Sequence, residues 1–237
     1  MDKTARLLQL DAGTSGGAAL EALAAAGDPK RFAFGVPLRA SPLHADSCEL
    51  SFAGLKTAAR LRIAAELGGG EDLAPGAAFE PGSERARARA DLAAAFQAAA
   101  FKHLCERCSR ALGWAKEAAP GVGTLVLSGG VARNAALRAA MAKVAARSGV
   151  GLFCPPPALC SDNGAMVAWA GAERFALGLI SPPPIIGPID ADGIEHVEGL
   201  RPRWDMGERH PRSEAALEGA RSLRVSRLAP TLTAAAV

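Results

Sequence analysis

The sequence lacks several features that mark common classes of protein. It contains no tyrosine, and aromatic residues make up only 5% of its 237 residues, which argues against a surface that stacks nucleic-acid bases on aromatic rings. The 27 Lys and Arg against 24 Asp and Glu leave a net charge of only +3, so the chain is not a polybasic nucleic-acid binder. No apolar run reaches the ~18 residues of a membrane span.

Cysteine is also scarce. Five cysteines, an odd number, argue against a secreted disulfide scaffold and favour a reducing compartment. The length of 237 residues is sufficient for one large domain or two small ones with a sizeable hydrophobic core.

Alternating helical and strand patterns predict an α/β protein. The strands are expected at 124–128 and 150–154, and the almost wholly apolar first one is expected to be buried on both faces. Gly27 and Gly113 are expected to end the second and fourth helices. Helices are predicted at residues 2–10, 18–26, 55–67, 86–112, 134–147 and 164–177.

The predicted helices and strands all fall within residues 1–180, which we expect to form the folded domain. Within this range, residues 71–84 are expected to form an exposed loop. Residues 181–204 are expected to form an irregular extension after a run of prolines. Residues 205–237 have low complexity and are predicted to be a disordered tail.

The segment that best predicts a binding site is 124–134, in which a strand leads through a Gly-Gly turn into a helix. Gly129 and Gly130 have no Cβ, so a planar ligand or a phosphate could approach the backbone closely. The helix start adds free N–H groups and a positive dipole end. Asn134 could bind a ligand or cap the helix, and the local pattern leaves both open.

Other polar segments give weaker signals. Asp162, at the start of the last helix, could bind a metal or act as the N-cap. The segment 51–57 lacks a glycine that a phosphate-binding loop requires, so a strand end turning into a helix is the better interpretation. Cys105 and Cys108 have redox or zinc spacing without a partner pair, and His103 is expected to be a core residue.

Five segments, taken in their order along the chain, resemble the motifs of one family, the tRNA N6-adenosine threonylcarbamoyltransferases. The resemblance covers about residues 2–180. The matching segments are Asp2-Lys3-Thr4-Ala5, Gly16-Gly17 and residues 50–57, 127–134 and 160–166.

The resemblance implies a fold of the actin/hexokinase/Hsp70-like ATPase type, with two lobes around a nucleotide cleft. This chain would hold the second lobe and the C-terminal helix, with most of the first lobe missing. The implied reaction moves the threonylcarbamoyl group of threonylcarbamoyl-AMP to N6 of adenosine 37, in tRNAs that read codons starting with A.

The resemblance also implies the site residues and partners. It assigns no catalytic residue. The partners that it implies are tRNA and either threonylcarbamoyl-AMP or ATP, with a second copy of the chain in a possible homodimer. Asp162 would bind one divalent metal ion per subunit, of iron, zinc or magnesium. The substrate contacts would be Asp2 and Gly17 at the ribose, Gly129 and Gly130 at the adenine, and Asn134.

The chain departs from the family in its metal ligands. In the family an H-x-x-x-H motif, upstream of the Asp-Lys-Thr helix, supplies two ligands, and this sequence has no such motif. Because one carboxylate holds a catalytic ion poorly, we expect little or no transferase activity from these 237 residues.

Two alternatives stay open: a non-catalytic nucleotide-binding or dimerisation module, and another kinase or ATPase of the same superfamily. Likeness to organellar members implies a mitochondrion or plastid, with the bacterial cytoplasm as the alternative. The first residues do not read as a transit peptide.

Overall fold

The computed structural model describes residues 1–10, 15–41, 44, 46–68, 79–179, 211–212 and 214–215. These residues form helices around a small parallel sheet, consistent with part of an α/β domain. Short 3₁₀ turns lie at Gly130–Arg133 and Pro157–Leu159. The elements are α1 (Asp2–Leu7), α2 (Gly16–Ala24), α3 (Ala53–Leu67), α4 (Glu84–Ala118), β1 (Thr124–Val126), α5 (Ala135–Arg147), β2 (Gly151–Phe153) and α6 (Gly164–Ala176).

Helix α4 is the centre of the core. Its 35 residues span about 52 Å, and α2, α3 and α5 pack against it. The predicted end near Gly113 is wrong, because the helix continues to Ala118. Leu112 is buried against Val144 and Val150, so packing holds this turn helical although an internal glycine costs about 1 kcal/mol.

The helix α2 is capped by Ser15, whose Oγ accepts a hydrogen bond from the Ala18 amide at 3.1 Å. It ends at Ala24, and Ala25 is its C-cap, so the predicted capping role of Gly27 is wrong. Gly27 serves close packing instead, since a Cβ there would lie only 2.1 Å from the Ala90 carbonyl oxygen of α4.

The helix α1 ends at Leu7, three residues before its predicted end. Arg89 of α4 donates hydrogen bonds to the carbonyls of Leu8 and Gln9, both at 2.7 Å. Gln9 adopts the left-handed φ of 51°, so the chain cannot continue as a right-handed helix. A side chain distant in sequence therefore satisfies the carbonyls that follow the helix end.

Strands β1 and β2 pair in parallel, with Leu125 opposite Leu152. The expectation of burial on both faces is wrong, because Val126 is 61% exposed and Phe153 57%. The central leucines pack against the cluster that contains Leu112, whereas the described elements leave the flanking strand residues largely exposed.

The helix α3 is confirmed, and Gly68 ends it with a left-handed φ of 73°. No strand precedes it among the described residues, so that part of the prediction is wrong. Most of the predicted loop at 71–84 and of the region 181–237 lies outside the described residues. Arg212, which is described, donates a 2.9 Å hydrogen bond to Glu117, and the predicted boundaries stay predictions.

Candidate functional site

A cavity of about 630 Å³ lies where the N-terminal ends of α1 and α2 meet the turn before α5. It brings together four predicted site residues that are far apart in sequence: Asp2, Gly17, Gly130 and Asn134. Its volume lies within the range of about 300–1,000 Å³ that is usual for small-molecule sites. The other lining residues are Met1, Ser15, Ala18, Glu21, Val131, Arg133, Pro157 and Ser161.

The Gly16-Gly17 segment lets α1 and α2 approach closely on the cavity wall. The Gly17 amide donates a 2.9 Å hydrogen bond to Asp2 Oδ1. A Cβ on Gly16 would lie 3.0 Å from the same oxygen and 3.1 Å from the Ala5 Cβ. The absence of a side chain at Gly16 therefore leaves room for the Asp2 carboxylate, and the Gly17 amide holds it at the cavity.

Glu21 is a lining residue that sequence reasoning missed. It lies one helical turn after Gly17 and therefore on the same face of α2, which is the signal that could have revealed it. Its Oε1 accepts a 2.7 Å hydrogen bond from the Ala135 amide at the start of α5. The cavity thus presents two carboxylates, Asp2 and Glu21, and the second joins α2 to α5.

Asn134 is the N-cap of α5, which confirms the capping interpretation. Its Oδ1 accepts from the Leu137 amide at 3.0 Å, and its Nδ2 donates to Gln97 Oε1 of α4 at 3.0 Å. Asn134 is only 6% exposed, so its side chain is held in one orientation. A contact with substrate stays a prediction.

The two glycines of the turn before α5, Gly129 and Gly130, have different roles. Gly129 has φ of 95°, which favours glycine, but it does not line the cavity. Gly130 lines the cavity, and a Cβ there would come no closer than 4.0 Å to Ser161 Oγ. Gly130 therefore leaves open space between the turn and the segment that precedes α6.

Asp162 is exposed and follows the lining residue Ser161. The expectation that it caps α6 is wrong, because Asn163 is the N-cap and accepts from the Met166 amide at 3.1 Å. Among the described residues, no group of three or more His, Cys, Asp or Glu is placed to hold a metal. One carboxylate does not fit a divalent metal centre on its own.

The profile of the tRNA N6-adenosine threonylcarbamoyltransferase family matches residues 1–169. The chain belongs to this family. A protein of Arabidopsis thaliana named probable tRNA N6-adenosine threonylcarbamoyltransferase, mitochondrial, is 44% identical over 232 residues, which are 98% of this chain and 45% of that protein. Relatives named tRNA N6-adenosine threonylcarbamoyltransferase in Cereibacter sphaeroides and Rhodospirillum rubrum are 42% and 41% identical over 89% and 91% of this chain.

The chain spans about half the length of these family relatives: 45%, 50% and 51% of the three. The match agrees with the family that the ordered motifs indicate. It gives no support to the alternative of another kinase or ATPase of the same superfamily. Within the described part of the chain, no helix is long and apolar enough to cross a membrane.

The remaining sequence candidates of this family member lie outside the cavity. His103 is fully buried, which confirms it as a core residue, and burial lowers its pKa. Its Nε2 accepts a 3.4 Å hydrogen bond from the Ser51 amide. Cys105 and Cys108 are free thiols, and burial raises the pKa of both. Raised pKa values keep these thiols protonated and so oppose a redox or zinc role.

Proposed function

We propose that the cavity binds the adenylate part of threonylcarbamoyl-AMP. The chain would then act in the transfer of the threonylcarbamoyl group to N6 of adenosine 37, in tRNAs that read codons starting with A. The observation that carries the proposal is the convergence of Asp2, Gly17, Gly130 and Asn134 on one cavity in a member of this family.

The two carboxylates suit the ribose. A carboxylate accepts several hydrogen bonds, and a ribose hydroxyl donates one. Asp2 and Glu21 each accept one backbone N–H, which fixes their direction and leaves acceptor capacity for a ligand. Gly17 lines the same cavity, and with Asp2 it forms the proposed ribose contact.

The open space beside Gly130 suits the adenine ring. A flat ring can pack against a backbone without a Cβ, and Gly129 gives the turn the conformation that presents Gly130. Asn134 would contact the substrate from the same turn, while Gln97 and the Leu137 amide hold its side chain in place.

The chain's own contribution to the transfer is binding and orientation. In the reaction, the adenosine N6 forms a bond to the carbamoyl carbon and gives up one proton to solvent, and the bond from that carbon to the phosphate oxygen breaks and releases AMP. Holding the adenylate fixes the carbamoyl group for this attack. Asp162 stays a proposed ligand of the family's divalent metal, and no step is assigned to a metal because the described residues do not fit a complete site.

Calorimetry with AMP tests the binding part of the proposal. We expect the 237-residue chain to bind AMP, and Asp2→Asn or Glu21→Gln to weaken binding about tenfold each, since each change weakens an acceptor for ribose hydroxyls. Glu66→Gln, which neutralises an exposed carboxylate of α3 outside the cavity, is the matched control and should leave the affinity unchanged. Absence of any heat with wild type would contradict the proposal.

We also propose that these 237 residues alone form little or no t6A, because Asp162 is the single candidate metal ligand that the motifs provide. The test supplies threonylcarbamoyl-AMP, tRNA and Fe²⁺, Zn²⁺ or Mg²⁺ and measures modified adenosine by mass spectrometry. Modification well above the no-protein control would refute this statement.

A second candidate function is a non-catalytic nucleotide-binding or dimerisation module, favoured by the lack of a metal-holding group among the described residues. AMP binding without transfer would support a binding module, and a dimer in sedimentation without AMP binding would support a dimerisation module. The name of the Arabidopsis relative supports the proposal of a mitochondrion over a plastid, with the bacterial cytoplasm as the alternative given the bacterial relatives.

A further inference from the structure

Arg133 is an exposed residue on the cavity wall, in the turn directly before Asn134. No hydrogen bond or ion pair engages its guanidinium within the described part of the chain. The conformation of the turn is held by another arginine, because Arg138 donates to the carbonyls of Ala132 and Pro155 at 2.6 and 2.8 Å. The turn therefore does not need Arg133 for its shape.

The charges around the cavity make this guanidinium distinctive. Arg133 is the only side-chain cation among the described residues that line it, and Asp2 and Glu21 are the only side-chain anions. Two carboxylates without a cation would repel a phosphate. The cavity as it stands offers acceptors at one place and a planar five-donor cation at another.

The start of α5 cannot fully serve as the phosphate site that its sequence predicts. Of its first three amides, that of Ala135 donates to Glu21 and that of Leu137 donates to Asn134. Both N–H groups are thus used within the protein. A phosphate in the cavity needs further donors, and Arg133 is the only cationic side chain that the described lining residues offer for it.

We propose that the guanidinium of Arg133 binds the phosphate of the adenylate in this cavity, while the two carboxylates hold its ribose. The inference rests on the proposed function and adds to it the group that distinguishes a nucleotide from a nucleoside. Arg133 is a substrate-binding residue in this scheme, and a phosphate-free ligand does not use it.

The test compares AMP with adenosine, which lacks the phosphate, by calorimetry at low salt. Wild type should bind AMP at least about tenfold more tightly than adenosine. Arg133→Ala should weaken AMP binding about ten- to a hundredfold, the range of a charge-assisted hydrogen bond, and leave adenosine binding within about twofold. Arg60→Ala is the matched control, because it removes the same charge from an exposed position of α3 outside the cavity.

The outcomes separate the two proposals. If wild type binds neither ligand, the proposed function fails and this inference fails with it. If wild type binds AMP and Arg133→Ala binds it equally well, Arg133 is not the phosphate group although the cavity remains a nucleotide site. An equal loss of AMP and adenosine binding would also overturn the inference, since it indicates a structural role. Arg133→Gln is the second variant, and it should show the same AMP-specific loss with the side-chain bulk kept.

Discussion

The contact between Gly27 and α4 makes a sharp prediction for Gly27→Ala. The added Cβ would lie 2.1 Å from the Ala90 carbonyl oxygen, 2.3 Å from its carbonyl carbon and 2.7 Å from the Asp91 amide nitrogen. All three are backbone atoms in the middle of a long helix, so no side-chain rotation can relieve the overlap. The segment after α2 must move away by about 1 Å, and close-packed interiors resist such shifts.

The magnitude follows from the cost of overpacking, which is typically about 1–3 kcal/mol. Because the obstructing atoms belong to a helix backbone, we expect a loss near the upper end, about 3 kcal/mol in the free energy of unfolding. The melting temperature should fall by about 6–12 °C, at roughly 2–4 °C per kcal/mol for a chain of this size. The movement also strains the hydrogen bond between Asp91 and the Asp28 amide, which is 2.6 Å long.

Urea unfolding followed by circular dichroism measures the effect, and Gly113→Ala is the matched control. Gly113 lies within α4, and nothing lies within 4 Å of a Cβ placed there. That variant should gain up to about 1 kcal/mol, because alanine is the better helix former. A Gly27→Ala protein as stable as wild type, or a change of the same sign in both variants, would refute the reasoning.

Three further predictions concern buried or half-buried polar groups. Asn134→Ala removes the cap of α5 and leaves Gln97 Oε1 without its partner, so urea unfolding should show a loss of about 2–4 kcal/mol. The half-buried cap of α6, changed in Asn163→Ala, should cost only about 1 kcal/mol, and equal losses would contradict this reasoning. Arg89→Met keeps the apolar part of the side chain but removes its hydrogen bonds to the carbonyls of Leu8 and Gln9. Amide hydrogen exchange in α1 should therefore accelerate by about tenfold or more. An unchanged exchange rate would show that these two hydrogen bonds do not stabilise α1. Burial lowers the pKa of His103 below its usual value of about 6.5, so the unfolded chain binds the proton more readily than the folded chain does. The free energy of unfolding should therefore fall as the pH drops from about 6.5 through the lower folded pKa. His103→Phe should flatten this pH dependence between pH 7 and 5, and parallel slopes for the two proteins would count against the prediction.

The sequence predicts elements well where the signal is local. The cap at Asn134 and the stop at Gly68 are set by neighbouring residues, and both are found in the structure. The ends of α1 and α2 are set by α4, about 80 and 65 residues further along the chain, through Arg89 and through the backbone beside Gly27. No local pattern carries that information.

The candidate site follows the same division. The motifs identify Asp2, Gly17, Gly130 and Asn134, and the structure places them around one cavity. Glu21 is missed because a glutamate on a helix surface resembles any solvated charge until the start of α5 is seen beside it. Burial of β1 is overestimated because an apolar run does not reveal whether other elements cover both of its faces.

Helix α4 has a consequence for how the protein opens. Along its length, Arg89 holds the end of α1, Gln97 holds the turn before α5, and Arg107 donates to the carbonyl of His44 at 2.7 Å. Each attached segment can detach alone, but α4 loses its buried face only when all of them leave. Amide exchange should therefore be slowest in the middle of α4, at the rate of global unfolding, while the segments that form the cavity exchange through smaller and independent openings.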